Sequence, residues 1–393
     1  MSISERINKG LTRTKRISFY CGIILILLSL PSLFLETKKF LHAYLCAYLF
    51  WLELTLGSMA MIMIYLLTRG GWGAVTRRIL EASINTIYMM ALAFIPILLG
   101  FKEIYPWADP LKFKLNEFAH KWIYFDHTFF IWRSIFYVLS WVLLAYVLVR
   151  CLNKSASGSI EQKTLKLSAF GLVYLGLSVT WAAVDWQMSL DPMWRSTIYG
   201  LVFLVGQAMG AWAFTLLILN IILRYYQDVM VMSKKIDLDL ANILLTIVIL
   251  WAYVSFAQYL IVWSGNLPDE AVWYVKRMHH GWQWLMLAIF GFLFAVPFLA
   301  LLFRVLKRTS WSMITLMALI LAFRILERYW MIKPSYSPEA ISVSYVDVTL
   351  MLGMGALWFS LFLRGLSKHS LFAVNDPNWP KGHQVLLHVE NAA

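Results

Sequence analysis

Ten long apolar stretches fill most of this 393-residue chain, and a few charged residues sit inside them. A helix that crosses a bilayer needs about twenty consecutive, mostly apolar residues. An ionisable side chain at its centre costs on the order of 2.5–3.5 kcal/mol on insertion scales. The stretches lie at 17–35, 40–67, 80–101, 128–149, 167–189, 196–223, 240–263, 281–303, 309–332 and 343–363. They are continuously apolar and lack the alternation of transmembrane β-strands, which excludes a barrel. With 61% hydrophobic and 14% charged residues, the composition is that of a polytopic membrane protein. The predicted fold is therefore an all-α integral membrane protein of ten transmembrane helices over residues 1–366. A cytoplasmic C-terminal tail, 367–393, is expected to be mostly irregular.

The net charge of +13 raises the question of nucleic acid, and its distribution answers it. Ten spans put both termini and the even-numbered connections on one side. That side holds 21 of the 34 lysines and arginines, the other holds 10, and Arg133, Arg324 and Arg328 lie within spans. The positive-inside rule then predicts cytoplasmic termini, with membrane lipids and not nucleic acid as the partner of the excess charge. Arg6, Lys9, Arg13, Lys15 and Arg16 precede a first stretch too long for a signal peptide, with no small-residue cleavage site after it, so it is expected to stay as an anchor. Cys21, Cys46 and Cys151 show no paired spacing and read as inert. The longest connection, 102–127, carries Tyr105, Pro106, Trp107 and Trp122 and is expected to lie at the membrane surface.

Redox-centre ligands are missing. A membrane b-type haem needs facing histidines on neighbouring helices, yet of eight histidines only His42 falls within a stretch. Three scattered cysteines cannot hold an iron–sulfur cluster, and neither a phosphate-binding loop nor a zinc-protease helix motif occurs. No metal site and no tightly bound cofactor is expected in this chain.

The charges inside the stretches form two groups by depth. His42, Arg133, Asp185, Gln258, Arg324, Glu327 and Asp347, together with Arg328, lie toward the outer ends of their spans. If the helices converge, they make one outer polar cluster. Arg324, Glu327 and Arg328 follow an i, i+3, i+4 spacing and share one helix side. Such a cluster can cradle a quinone head group, with carboxylates receiving its protons; the plainer reading is an ion-pair network that holds helices together. Glu81 and the mid-span Glu53 form an inner group, a candidate proton path that Asp185 would extend. For Glu81 the plainer reading is an interfacial salt bridge to Arg77 or Arg78, and for Glu53 a buried helix-to-helix bond. Pro31, Pro96 and Pro297 should kink their helices. Gly206 and Gly210, four apart, mark a face for close helix approach.

Several motifs carry a family likeness: Arg69-Gly70-Gly71-Trp72-Gly73 with Arg77-Arg78-Ile79-Leu80-Glu81-Ala82, Tyr105-Pro106-Trp107, Asp185-Trp186-Gln187-Met188-Ser189-Leu190-Asp191-Pro192 running on to Ser196-Thr197-Ile198-Tyr199-Gly200, and Trp263-Ser264-Gly265-Asn266-Leu267-Pro268. Over residues 40–363 the chain resembles the smaller ten-helix NrfD-like membrane subunits of bacterial alternative complex III, a quinol:cytochrome c (electron acceptor) oxidoreductase. The resemblance implies two four-helix bundles plus two helices in the bacterial inner membrane. It implies a larger NrfD-like partner bearing the quinol site, an iron–sulfur subunit and multi-haem cytochrome c subunits. It assigns this subunit type a proton path or a structural role, and a quinone or quinol, menaquinol included, is a possible ligand. Asp185, Glu81, Arg77 and Arg78 lie within the matching motifs, whereas Glu53 and the charges of the ninth stretch do not. The alternative from another class is a stand-alone proton-coupled secondary transporter. The isolated chain is expected to show no haem absorbance, and a stoichiometric b-type spectrum in purified protein would contradict this.

Overall fold

Apolar runs this long become helices because a helix satisfies every backbone N–H and C=O within itself, as a bilayer interior demands. The computed structural model describes residues 3–109, 124–155, 162–225, 234–368, 370–373, 376 and 378–379. In chain order the helices are α1 (Ile3–Leu35), α2 (Thr37–Thr68), α3 (Gly71–Ile84), α4 (Ile87–Ala93), α5 (Ile95–Ile104), α6 (His127–Ser155), α7 (Gln162–Trp186) and α8 (Tyr199–Tyr225). They continue as α9 (Lys234–Gly265), α10 (Pro268–Val275), α11 (Trp282–Phe290), α12 (Val296–Leu302), α13 (Arg304–Arg308), α14 (Ser310–Tyr336) and α15 (Tyr345–Leu366). Among the described residues the protein is all-helical, and nine helices are long and apolar enough to cross a membrane. It is an all-α, multi-pass membrane protein. Most of the surface connection and of the C-terminal tail, including Trp122, lies outside the described residues.

The stretch at 80–101, expected to kink at Pro96, is a broken unit that starts earlier, at Gly71. The chain runs from Gly71 to Ala93 with a turn at Asn85-Thr86, then bends by 52° into α5. Counted as one bent span, this unit makes ten. Pro96 explains the break, since it has no N–H for the ladder. Beside the break the Tyr44 hydroxyl donates to the backbone carbonyl of Ala93 at 2.7 Å. Pro297 is absorbed differently. A π-helical turn, Gly291–Ala295, precedes it and joins α11 to α12, a usual way of admitting an extra residue.

Helices α2 to α7 pack in one group, α8 to α14 in a second, and α1 lies along α15, which also touches α2 and α3. The seam between the groups is chiefly α2 against α8 and α14, with α7 and α3 also packed on α8. Of the candidate spans, α2 is the most enclosed, as a helix apolar on all sides should be. At the turn after α2 the left-handed conformation falls on Arg69 (φ 54°), while Gly70 is extended. Gly73 matters for another reason: a Cβ there would lie 1.8 Å from the Tyr65 ring.

The seam is set by Gly57. A Cβ on it would stand 2.2 Å from the backbone oxygen of Gln207 on α8. Gly57→Ala should therefore lower the unfolding stability of the detergent-solubilised chain by about 1–3 kcal/mol, although alanine gains about 1 kcal/mol in helix propensity. Gly176→Ala, with no atom within 4 Å of the added carbon, is the control and should be neutral or stabilising. Equal melting temperatures for the two variants would refute the close crossing.

Candidate functional site

The i, i+3, i+4 spacing on α14 places Arg324, Glu327 and Arg328 on one side of that helix, facing α2 and α8. There they meet Glu53, about halfway along α2. Arg324 grips it through both oxygens, Nε to Oε1 at 3.2 Å and Nη2 to Oε2 at 2.8 Å. Arg328 adds Nε to Oε2 at 2.8 Å. Arg324 Nη1 also donates to Glu327, and Arg328 Nη1 donates to Gln187 Oε1 at 3.0 Å. Two carboxylates and two guanidiniums make a quartet of zero net charge. Glu53 and Arg324 are 0% exposed, so neither meets solvent or lipid. Removing a charge from water in this way is tolerable only when it is paired and its hydrogen bonds are filled.

Gly206 and Gly210 on α8 make the room. A Cβ at Gly206 would lie 2.4 Å from Arg324 Nη2, and one at Gly210 would lie 2.7 Å from Glu53 Oε1. The expected small-residue face exists, but what approaches it is a guanidinium and a carboxylate. Arg328 also lies over the Phe203 ring, 4.3 Å from its centroid.

Glu327 has a second side. Its Oε1 accepts from Trp251 Nε1 at 3.1 Å, and the residue lines a cavity of about 280 Å³ between α8, α9, α11 and α14, closed at one end by α10. Trp251, Phe256, Tyr259, Trp273, Tyr274 and Trp330 make the walls aromatic. Among the described residues lining it, Glu327 is the one charged side chain. Gln258 accepts from Ser196 through Oε1 and lines the cavity too. Among the described residues, three polar atoms of the lining have no hydrogen-bond partner: Gln258 Nε2, Ser255 Oγ and Trp330 Nε1. Burial pushes the Tyr274 phenol above its ordinary value, which keeps it a neutral donor. Exposed Phe256, Leu287 and Phe290 border the cavity on the lipid-facing side of α9 and α11.

Arg277 lies behind the lining residues Trp273, Trp330 and Met331. It is fully buried, stacks 3.7 Å from the Trp273 ring centroid, and donates to the backbone oxygens of Trp273, Trp330 and Met331. Burial pulls its guanidinium down to about 10, against the opposing pull of Asp191, so it remains a cation at neutral pH. Asp191 binds Lys276 Nζ at 2.7 Å and accepts from Ser335.

The single outer cluster expected from depth is corrected to separate groups, because the helices present these residues to different neighbours. Asp185 binds Arg133 through two bonds, at 3.0 and 2.8 Å, and accepts from Tyr124 at 2.7 Å and Tyr137 at 2.9 Å. Four donors saturate that carboxylate. Asp347 caps the start of α15 with Ser344 and pairs with Lys333 at 2.5 Å. His42 stacks on Tyr336 at 4.4 Å and bonds the Lys38 carbonyl at 2.7 Å. Only Arg324, Glu327 and Gln258 of the expected quinone cluster come together. The inner pair is separated as well. Glu53 belongs to the quartet, whereas Glu81 is held by Arg77 and Arg78, each at 2.7 Å, with Asp376 of the tail on Arg77 at 2.7 Å. Trp251, Gln187 and Asp376 escaped sequence reasoning, since an indole, an amide and a tail acid carry no spacing signal.

Among the described residues no group of three or more His, Cys, Asp or Glu side chains can hold a metal ion. The chain matches no protein-family model and no curated protein.

The quartet makes a quantitative expectation. Glu53→Gln or Arg324→Gln alone leaves an uncompensated buried charge and should cost about 3–5 kcal/mol of unfolding stability. The double variant restores neutrality and should cost less than the sum of the two, by about 0.5–3 kcal/mol. Strict additivity in chemical unfolding of the solubilised chain would rule out the coupling.

Proposed function

We propose that this chain is an integral subunit of a quinol-oxidising respiratory complex of the quinol:cytochrome c type in the bacterial inner membrane, and that the aromatic cavity takes the ring of the quinol. One observation carries the reading: Glu327 faces an apolar, aromatic chamber on one side and a charge-balanced buried quartet on the other. A ring of that size stacks on Trp and Tyr faces, and its hydroxyls need a donor or acceptor at the wall. Gln258 and Ser255 offer these on α9 and Glu327 on α14. The border of exposed apolar side chains suits a ligand whose tail stays in the lipid.

Oxidation of a quinol releases two electrons and two protons. Electrons would pass to haem c and iron–sulfur centres in partner subunits. Glu327 takes the proton of the hydroxyl nearest it as general base and gives it up before the next turnover, and the far hydroxyl loses its proton away from the quartet. Arg324 stabilises the anionic form of Glu327 between transfers. Asp185, Arg133, His42 and Asp347 serve as structural ties in this reading, as do Glu81 and its arginines. The short motifs that resemble NrfD-like subunits, and the packing of helices into two groups with α1 and α15 beside them, support membership of such a complex. The aromatic cavity alone supports a quinol ring in this chain, and not only in a larger partner.

The test uses the complex purified through this chain. Extracted lipid should contain a quinone in stoichiometric amount. Glu327→Gln should lower quinol-dependent reduction of the electron acceptor by about 100-fold or more while leaving bound quinone within twofold. Gln258→Leu should instead weaken quinone retention about tenfold, as loss of one buried hydrogen bond does. If the chain purifies alone, without quinone or cytochromes, and moves a solute in proteoliposomes, it is a transporter and this reading fails.

A further inference from the structure

A larger recess lies elsewhere in the bundle and shares no residue with the aromatic cavity. About 440 Å³ opens between α12, α13 and α14, lined mainly by Val296, Ala300, Leu306, Trp311, Leu316 and Leu319. It follows α14 from Trp311 to Leu319, about 12 Å at 1.5 Å per residue. Its head is therefore the first turn of α14, where unpaired backbone N–H groups give the helix its positive pole. Arg224, in the last turn of α8, lies over the lining Trp311 with its guanidinium carbon 4.0 Å from the ring centroid. Arg224 is exposed and has no carboxylate partner among the described residues. Exposed Arg304 and Arg308 flank Leu306 on α13, whereas Lys307 is engaged with Asn242 at 2.6 Å.

We propose that this groove holds one anionic phospholipid, its acyl chain against α12 and α14 and its phosphate at Arg224 beside the first turn of α14. The apolar trough sets the acyl chain and the cations set the head-group charge. A guanidinium seated over an indole still has N–H groups to offer phosphate oxygens, which arginine binds through its planar fork. A zwitterionic lipid fills the same trough but brings its own cation toward Arg224 and the other arginines. Discrimination between head groups therefore follows from the rim, and chain binding from the trough. The groove opens at the end of the bundle where basic residues concentrate, as a site for anionic lipid should.

The experiment takes the full-length chain, strips its lipid in detergent, and supplies phosphatidylglycerol or phosphatidylcholine with identical acyl chains. Native mass spectrometry then counts what is retained. One phosphatidylglycerol should be held at least about fivefold more strongly than phosphatidylcholine, the order expected for one basic residue near the head group. Arg224→Gln should erase that preference, Arg224→Lys should keep part of it, and Ala300→Phe should reduce retention of both lipids by filling the trough. Millimolar inorganic phosphate should not displace the lipid. Equal retention of the two lipids by the unaltered chain overturns the proposal whatever the variants do. So does undiminished preference in Arg224→Gln, or displacement by phosphate, which would make the site one for free anions.

Discussion

A carboxylate in the middle of the most enclosed helix is the constraint around which the rest is arranged. Glu53 cannot reach water from its place on α2, so the protein must bring cations to it. Arg324 and Arg328 come from α14, Gly206 and Gly210 of α8 clear the volume they occupy, and Glu327 restores neutrality. Trp251 of α9 then orients Glu327. One ionised group thus fixes the mutual positions of four helices, and the aromatic chamber exists where the last of them stand apart. In lipid, where apolar side chains give no preference for one neighbour over another, such polar contacts decide which helices meet.

Toward the ends of the bundle the same logic recurs with separate, saturated pairs. Asp185 with Arg133 and two tyrosines ties α6 to α7. Lys333 with Asp347 ties α14 to α15. Arg77 reaches Glu81, the Leu152 carbonyl and Asp376, gathering α3, α6 and the tail. All are largely shielded from water, which separates them from exposed pairs of little energetic weight. Each is an acid held by one or more cations, whereas three polar atoms of the chamber beside Glu327 have no partner among the described residues.

Much of this was legible in the residues. Length and hydropathy located nearly every span, because a bilayer imposes a minimum that few soluble helices meet. The i, i+3, i+4 spacing on α14 revealed the shared side of Arg324, Glu327 and Arg328. Pro96 marked the bend. Depth along a helix, however, says nothing of azimuth: Asp185 and Arg324 lie at similar levels yet turn toward different neighbours. Glu53 looked like the partner of Glu81 because both were placed by distance from the basic side, and only the packing of α2 on α14 shows its true companions. The spacing of Gly206 and Gly210 on α8 predicts a helix-contact face, since sequence spacing cannot distinguish room for a backbone from room for a side chain.

The neutrality of the quartet has an electrical consequence. Because its two carboxylates and two guanidiniums cancel, the intact group carries no net charge for a transmembrane voltage to act on. A single unpaired charge at that depth would feel up to about 2.3 kcal/mol per 100 mV if it crossed the whole field. A four-residue knot that holds helices together is for that reason also electrically silent along the membrane normal.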